Sequence, residues 1–221
     1  DHWIGLVEAV EATAEPSSTP RPSISPPIHT RPTKLAVTDI KHLIRDPYAI
    51  YAKYVLGLRR LDPLSKQPDA PLRGTVIHDL LEVFINKGPW LDASLAKTAL
   101  LNLSRKMLTD LVPWPTARRM WQARVARFAD QFITKEIQRQ RVLLSSKTEV
   151  WGEIVLPELE FTLVGKADRV DVLQNGTAHI FDYKTGKPPS KDQQIHFDKQ
   201  LLLEVEILRR GGFENLGALQ V

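Results

Sequence analysis

The sequence predicts a mixed α/β (α+β) domain, a small sheet containing an antiparallel meander and flanked by helices. Three observations carry this. Apolar residues recur at helical spacing through much of the chain up to Leu144. From Glu149 to Lys184 the texture changes to β-branched and aromatic runs, broken by the turn residues Gln174-Asn175-Gly176. Helical spacing then returns between Asp192 and Arg210.

In chain order, Trp3, Leu6, Val7 and Val10 outline a short amphipathic helix, and residues 1–13 read as the end of a preceding region. Residues 14–33 are rich in proline and serine and poor in large apolar groups. Such a segment buries too little surface to offset its ordering entropy, so it is expected to be an extended linker that proteases cut first. A domain spanning 34–221, expected to be truncated at its C-terminus, follows. Thr38-Asp39 offers a helix N-cap, and Pro47 starts a second short helix reaching Leu56. Val76, Ile77, Leu80, Leu81, Phe84 and Ile85 mark a helix over Gly74–Asn86, with further helices at about 92–111 and 116–144. Three strands are expected next, over 149–157, 160–173 and 178–184. One helix over 192–210, stopped by Gly211-Gly212, and a final strand in "LGALQV" complete the domain.

Composition excludes some chemistry. The 221 residues include no cysteine, which removes disulfides, thiolate metal sites and cysteine nucleophiles, and points to a reducing, cytoplasmic setting. No apolar run approaches a membrane span, so no membrane partner is expected. The net charge of +4 leans mildly towards polyanions.

The chemistry concentrates at the end of the third strand, in "HIFDYKTGKPP". Asp182 and Lys184 are two apart and share a face, while Tyr183 points the other way. If the turn uses three residues, Leu173 pairs with Thr177 and Asp168 falls opposite Asp182, whereas a two-residue turn would point the carboxylates apart. Paired carboxylates repel unless a cation joins them, and all-oxygen ligation suits Mg²⁺ or Mn²⁺, with Lys184 placed to orient or deprotonate a water for phosphodiester hydrolysis. Taken alone, Asp-x-Lys at a strand end is usually an exposed ion pair worth under about 1 kcal/mol. The basic run Arg118, Arg119, Arg124, Arg127, Lys135, Arg139 and Arg141 lies on one helix that can track a phosphate backbone or simply face solvent. Trp114, Trp121 and Trp151 read as core and Asp171 as a strand-face polar residue, while Glu82, one turn after His78, could join the metal shell but reads rather as exposed or behind it.

Four ordered motifs, "LRGTVIHDLLEVF", "VGKADRVDV", "IFDYKTGKPP" and "DKQLLLEVEIL", resemble the nuclease domain of RecB- and AddB-type proteins in the PD-(D/E)XK superfamily. "AVTDIKHLIRDPYAIYAKYVLGLRRLDPL" resembles the opening of an AddB nuclease domain. The resemblance implies a restriction-endonuclease-like core in which His78, Asp168, Asp182 and the Tyr183 main-chain carbonyl bind Mg²⁺ or Mn²⁺. Lys184 would be the catalytic lysine, and Gln200 would orient it or the DNA. It implies a DNA exonuclease rather than an endonuclease, working with an AddA-type helicase–nuclease subunit in double-strand break repair. The alternative is a catalytically silent DNA-binding or scaffold module of the same fold. Two departures stand out: Glu204 occupies the place of a usual tyrosine, and the cysteines of the AddB iron–sulfur cluster are missing, so this segment can hold no such cluster.

Overall fold

The computed structural model describes residues 2–11, 25, 27–61, 63–65 and 67–221. The chain forms two compact units, Asp1–Arg31 and Pro32–Val221. In the first, helix α1 spans His2–Glu11, as its apolar spacing predicts. Most of the expected linker lies outside the described residues.

The second unit is built on four strands: β1 (Lys34–Ala36), β2 (Leu143–Leu156), β3 (Phe161–Leu173) and β4 (Ala178–Phe181). Its helices are α2 (Ile40–Arg45), α3 (Pro47–Ile50, continued by a wider π-type turn over Tyr51–Val55), α4 (Ala70–Asn86), α5 (Ala93–Leu111), α6 (Pro115–Gln140), α7 (Lys191–His196) and α8 (Gln200–Arg209). Strand β3 is the organiser. It pairs antiparallel with β2 along its length, parallel with β1 at Thr162–Val164, and antiparallel with β4 at Arg169–Val172. Strands β1 and β4 thus share one edge of β3 and leave an interval between them, which the chain enters as it leaves β4. The parallel strand makes the sheet mixed.

Helices cover both faces. Val170 packs with Ile207 and Leu208 of α8, while its neighbour Arg169 is bonded to Glu136 of α6, and adjacent strand residues point oppositely. On the α6 side, Leu80, Phe84, Leu100, Val125, Ala129 and Ile133 form a second core among α4, α5 and α6. Ile77, Leu81 and Ile85 join that layer to the sheet through Tyr183.

Several expectations are corrected. Helix α4 starts at Ala70, not Gly74, because Asp69 caps it by accepting from the Leu72 amide at 2.9 Å. Helix α6 ends at Gln140, and the residues after it belong to β2, which pairs with β3 from Leu143. The single helix over 192–210 is two: α7, set by a Ser190–Gln193 capping box, stops at His196, and α8 starts at Gln200. "LGALQV" forms only an isolated bridge, Thr177 to Gln220. Asp39 does not cap α2; its carboxylate is held by Lys53 at 3.0 Å and by the Tyr54 hydroxyl. Trp151 is exposed because it alternates with Val150 and Gly152, both turned to the α8 side. Asp171 is buried, not a polar residue of an open strand face.

Gly152 is required by close approach. A Cβ there would meet the Phe213 ring and would lie 2.7 Å from Ile207 Cγ2, in the layer between β2 and α8. Gly152→Ala is expected to destabilise the unit by about 1–3 kcal/mol through overpacking, read as a lowered melting temperature. An unchanged melting point would show that α8 can move aside.

Candidate metal and active site

The β3–β4 connection fixes where the carboxylates go. Leu173 N donates to Thr177 O at 2.8 Å and Gly176 N to Leu173 O at 3.0 Å, so the turn has three residues, and Gly176 takes φ +83°. Asn175 Oδ1 accepts from the Thr177 amide and hydroxyl at 3.0 and 2.8 Å. The resulting register pairs Arg169 with Phe181 and Asp171 with His179. Carried one residue past Phe181, it sets Asp182 beside Asp168. This is the odd loop that the metal-site reading demands.

A second device sits at Asp168. Ala167 and Val170, three apart, belong to the same core against α8, so the two-residue alternation slips between them. Opposite Asp168, between the pairs Thr148–Arg169 and Val150–Ala167, stands Glu149 at φ +51°. For a non-glycine residue this left-handed backbone is unfavourable and is held in place by the surrounding sheet. Asp168 meets His78 Nδ1 of α4 at 3.4 Å, and its Oδ2 accepts from the Tyr183 amide at 2.6 Å.

His78, Glu149 and Asp168 each offer a ligand atom, all within 4.8 Å of one another. Glu149 was absent from the expected set. Two carboxylates and an imidazole fit a divalent cation of the Mg²⁺ or Mn²⁺ class, the imidazole suiting Mn²⁺ better. Asp182 stands outside this trio: its Oδ2 is 2.8 Å from Lys184 Nζ. Lys184 Nζ also donates to Gln200 Oε1 at 3.4 Å, and Gln200 Nε2 donates to Glu204 Oε1 at 3.0 Å. The Tyr183 ring meets the His78 ring edge-on, with centroids 6.4 Å apart, and packs towards Ile77, Leu81 and Ile85. Glu82 is half-buried and belongs to neither group.

The electrostatics follow from this layout. Hydrogen bonding to Asp168 raises the pKa of His78 against the opposing effect of burial. Burial would raise Asp168, but the His78 and Tyr183 hydrogen bonds outweigh it and hold the carboxyl low. Asp182 is raised, first by burial and also by the Asp168 charge, with Lys184 only partly offsetting these. Glu204 is pushed up to about 7 by burial, with the Asp182 and Asp168 charges adding to it.

A cleft of about 530 Å³ opens beside Lys184, with Phe128, Phe132 and Leu81 on its walls and Arg124 and Arg127 of α6 lining it. Arg118 and Arg119 line a separate groove with Arg105 of α5. Arg139 does not join this basic surface: it pairs with Glu136 at 3.3 Å and lies 4.5 Å over the Phe181 ring. Among the described residues no helix is long and apolar enough to cross a membrane.

The chain is similar to uncharacterized proteins of Rickettsia conorii (30% identical over 86% of this chain and 24% of that protein) and Rickettsia felis (31% over 84% and 22%). One of Rickettsia typhi is 31% identical over the same shares, 84% and 22%. The chain therefore spans about a quarter of the length of the curated relatives it matches. Residues 34–220 match the family described as the PD-(D/E)XK nuclease superfamily, a stretch that holds β1 to β4 and every residue of the site above, and the chain belongs to that superfamily.

Proposed function

We propose that this chain is the nuclease domain of a larger protein and hydrolyses DNA phosphodiesters with Mg²⁺ or Mn²⁺. The observation that carries the reading is the gathering of His78, Glu149 and Asp168 ligand atoms within 4.8 Å of one another, with the Asp182–Lys184 pair following β4 at the interval between β1 and β4. His78, Asp168 and Glu149 would hold the cation, with Asp182 and the Tyr183 carbonyl beside them. Such a cation supplies Lewis acidity and charge neutralisation at the phosphodiester. Lys184 presents its ammonium from Asp182 and Gln200 to orient the attacking water. Arg124 and Arg127, on the cleft beside it, attract the flanking phosphates, and Arg118 and Arg119 extend the basic surface along α6.

The resemblance to RecB- and AddB-type domains supports exonucleolytic action in double-strand break repair. It supports a cytoplasmic setting with an AddA-type helicase–nuclease subunit as partner. The test is cleavage of linear DNA by the chain, alone and with such a partner, with and without Mg²⁺. Chelation is expected to abolish cleavage and Mg²⁺ to restore it. DNA binding without cleavage under every condition would favour the silent scaffold instead.

Asp168→Ala is expected to weaken Mn²⁺ binding sharply in calorimetry, because it removes one of the two carboxylates of the trio and leaves Glu149 and His78. Affinity equal to wild type would overturn the site.

A further inference from the structure

Lys184 touches two groups, Asp182 and Gln200. A carboxylate attracts an ammonium from either oxygen, but the Gln200 side chain has an accepting end and a donating end of nearly the same shape. Only its oxygen suits a cation; rotated by half a turn, the amide would aim N–H groups at the ammonium. What selects the orientation lies one turn further along α8. Glu204 Oε1 accepts from Gln200 Nε2 at 3.0 Å, the (i, i+4) spacing that places both side chains on one helix face.

Glu204 is an expensive residue at that position. It is 1% exposed, and its Oε2 makes no hydrogen bond. A buried carboxyl with one oxygen unsatisfied destabilises the fold relative to an apolar side chain of similar length. Its one hydrogen bond runs to Gln200, and through it to Lys184. Burial pushes its pKa up to about 7, yet Oε1 accepts from an amide in either protonation state.

We infer that Glu204 is a positioning residue, which orients the Gln200 amide so that its oxygen, and not its nitrogen, receives Lys184. The inference rests on the reading of Lys184 given under the proposed function. It gives the residue that replaces the usual tyrosine a task within the site, through Gln200 and without contact with DNA or metal.

The test uses the whole chain with Glu204→Met, Glu204→Gln, Gln200→Ala and the Glu204→Met/Gln200→Ala double variant. On a labelled linear oligonucleotide with Mg²⁺, Glu204→Met is expected to lower kcat roughly 10- to 100-fold with KM unchanged, the usual loss on removing a supporting hydrogen bond of an active site. Its melting temperature should not fall, and Glu204→Gln, which keeps an acceptor, should retain most of kcat. Gln200→Ala should match Glu204→Met, and the double variant should be no worse than either. Without metal or substrate, the Gln200 side-chain amide resonance, assigned by its loss in Gln200→Ala, should shift in Glu204→Met and stay near its place in Glu204→Gln. Additive losses, an unaltered kcat in Glu204→Met, or an unmoved amide resonance would overturn the inference. If wild type fails to cleave both alone and with its partner subunit, the nuclease reading falls, and the amide resonance still decides whether Glu204 orients Gln200.

Discussion

Lys184→Ala is expected to lower DNA cleavage at saturating Mg²⁺ by roughly 10²- to 10⁴-fold, the range of a positioned group that handles a proton in the transition state. The substitution is structurally mild: the Lys184 side chain is 39% exposed. Chemically it is severe. Asp182, raised by burial and by the neighbouring Asp168 charge, loses the ammonium that offsets both. The cleft also loses the cation that pairs with Asp182, leaving Arg124 and Arg127 to attract phosphate without the group that orients the nucleophile. The signature is therefore lost turnover with retained Mn²⁺ binding in calorimetry and an unchanged melting point. Turnover equal to wild type would reduce the Asp182–Lys184 pair to the surface ion pair that its sequence spacing also allows.

The hairpin was legible in the sequence because its information is local. Asn175-Gly176 specifies a tight turn, the alternation on either side specifies which faces meet, and only loop parity was needed to bring Asp168 and Asp182 together. Glu149 was not legible, since its place opposite Asp168 depends on the β2–β3 register and on a left-handed backbone at a residue with no glycine to announce it. β1 is three residues long and pairs parallel across more than a hundred positions, so no turn signal marks it. The first residues of β2 follow a 26-residue helix without a proline or glycine between, and helical spacing runs on into them. The buried role of Arg169 and Asp171 did leave a trace. Both share the parity of Tyr183 across the hairpin, the face turned from α8 and towards α6.

That buried network carries the second large expectation, Arg169→Leu, which should destabilise the unit by about 3–5 kcal/mol, the usual loss on breaking a buried ion pair from one side. Arg169 and Glu136 are fully buried and Asp171 is 1% exposed. The guanidinium grips Glu136 with two nitrogens at 2.6 and 3.0 Å and Asp171 Oδ1 with a third at 2.6 Å. Ser146 and Gln140 supply further hydrogen bonds at 2.7 and 2.9 Å. Removing the arginine leaves two carboxylates out of water with Arg139 as the one cation paired with either of them, Ser146 and Gln140 remaining as neutral hydrogen-bond donors. Against a typical total stability of about 5–15 kcal/mol this is a large fraction, and a drop in melting temperature of roughly 10 °C is expected. The pH dependence has a definite sign. Burial raises the Glu136 pKa, but Arg169 more than reverses this and holds it below its ordinary 4.5. The stability Glu136 contributes in wild type is therefore present above pH 4.5 and is lost as pH falls through the depressed value. In Arg169→Leu the desolvated Glu136 carboxyl, without the guanidinium that holds it down, titrates upwards instead, so the variant should lose least relative to wild type in acid and most near neutrality. Equal melting points at pH 7, or a gap that widens on acidification, would show that the network adds nothing to the link between α6 and the sheet. The site would feel such a loss, because α6 carries Arg124 and Arg127 to the cleft and Arg169 also reaches the hydroxyl of Tyr183, at 3.5 Å, whose amide holds Asp168.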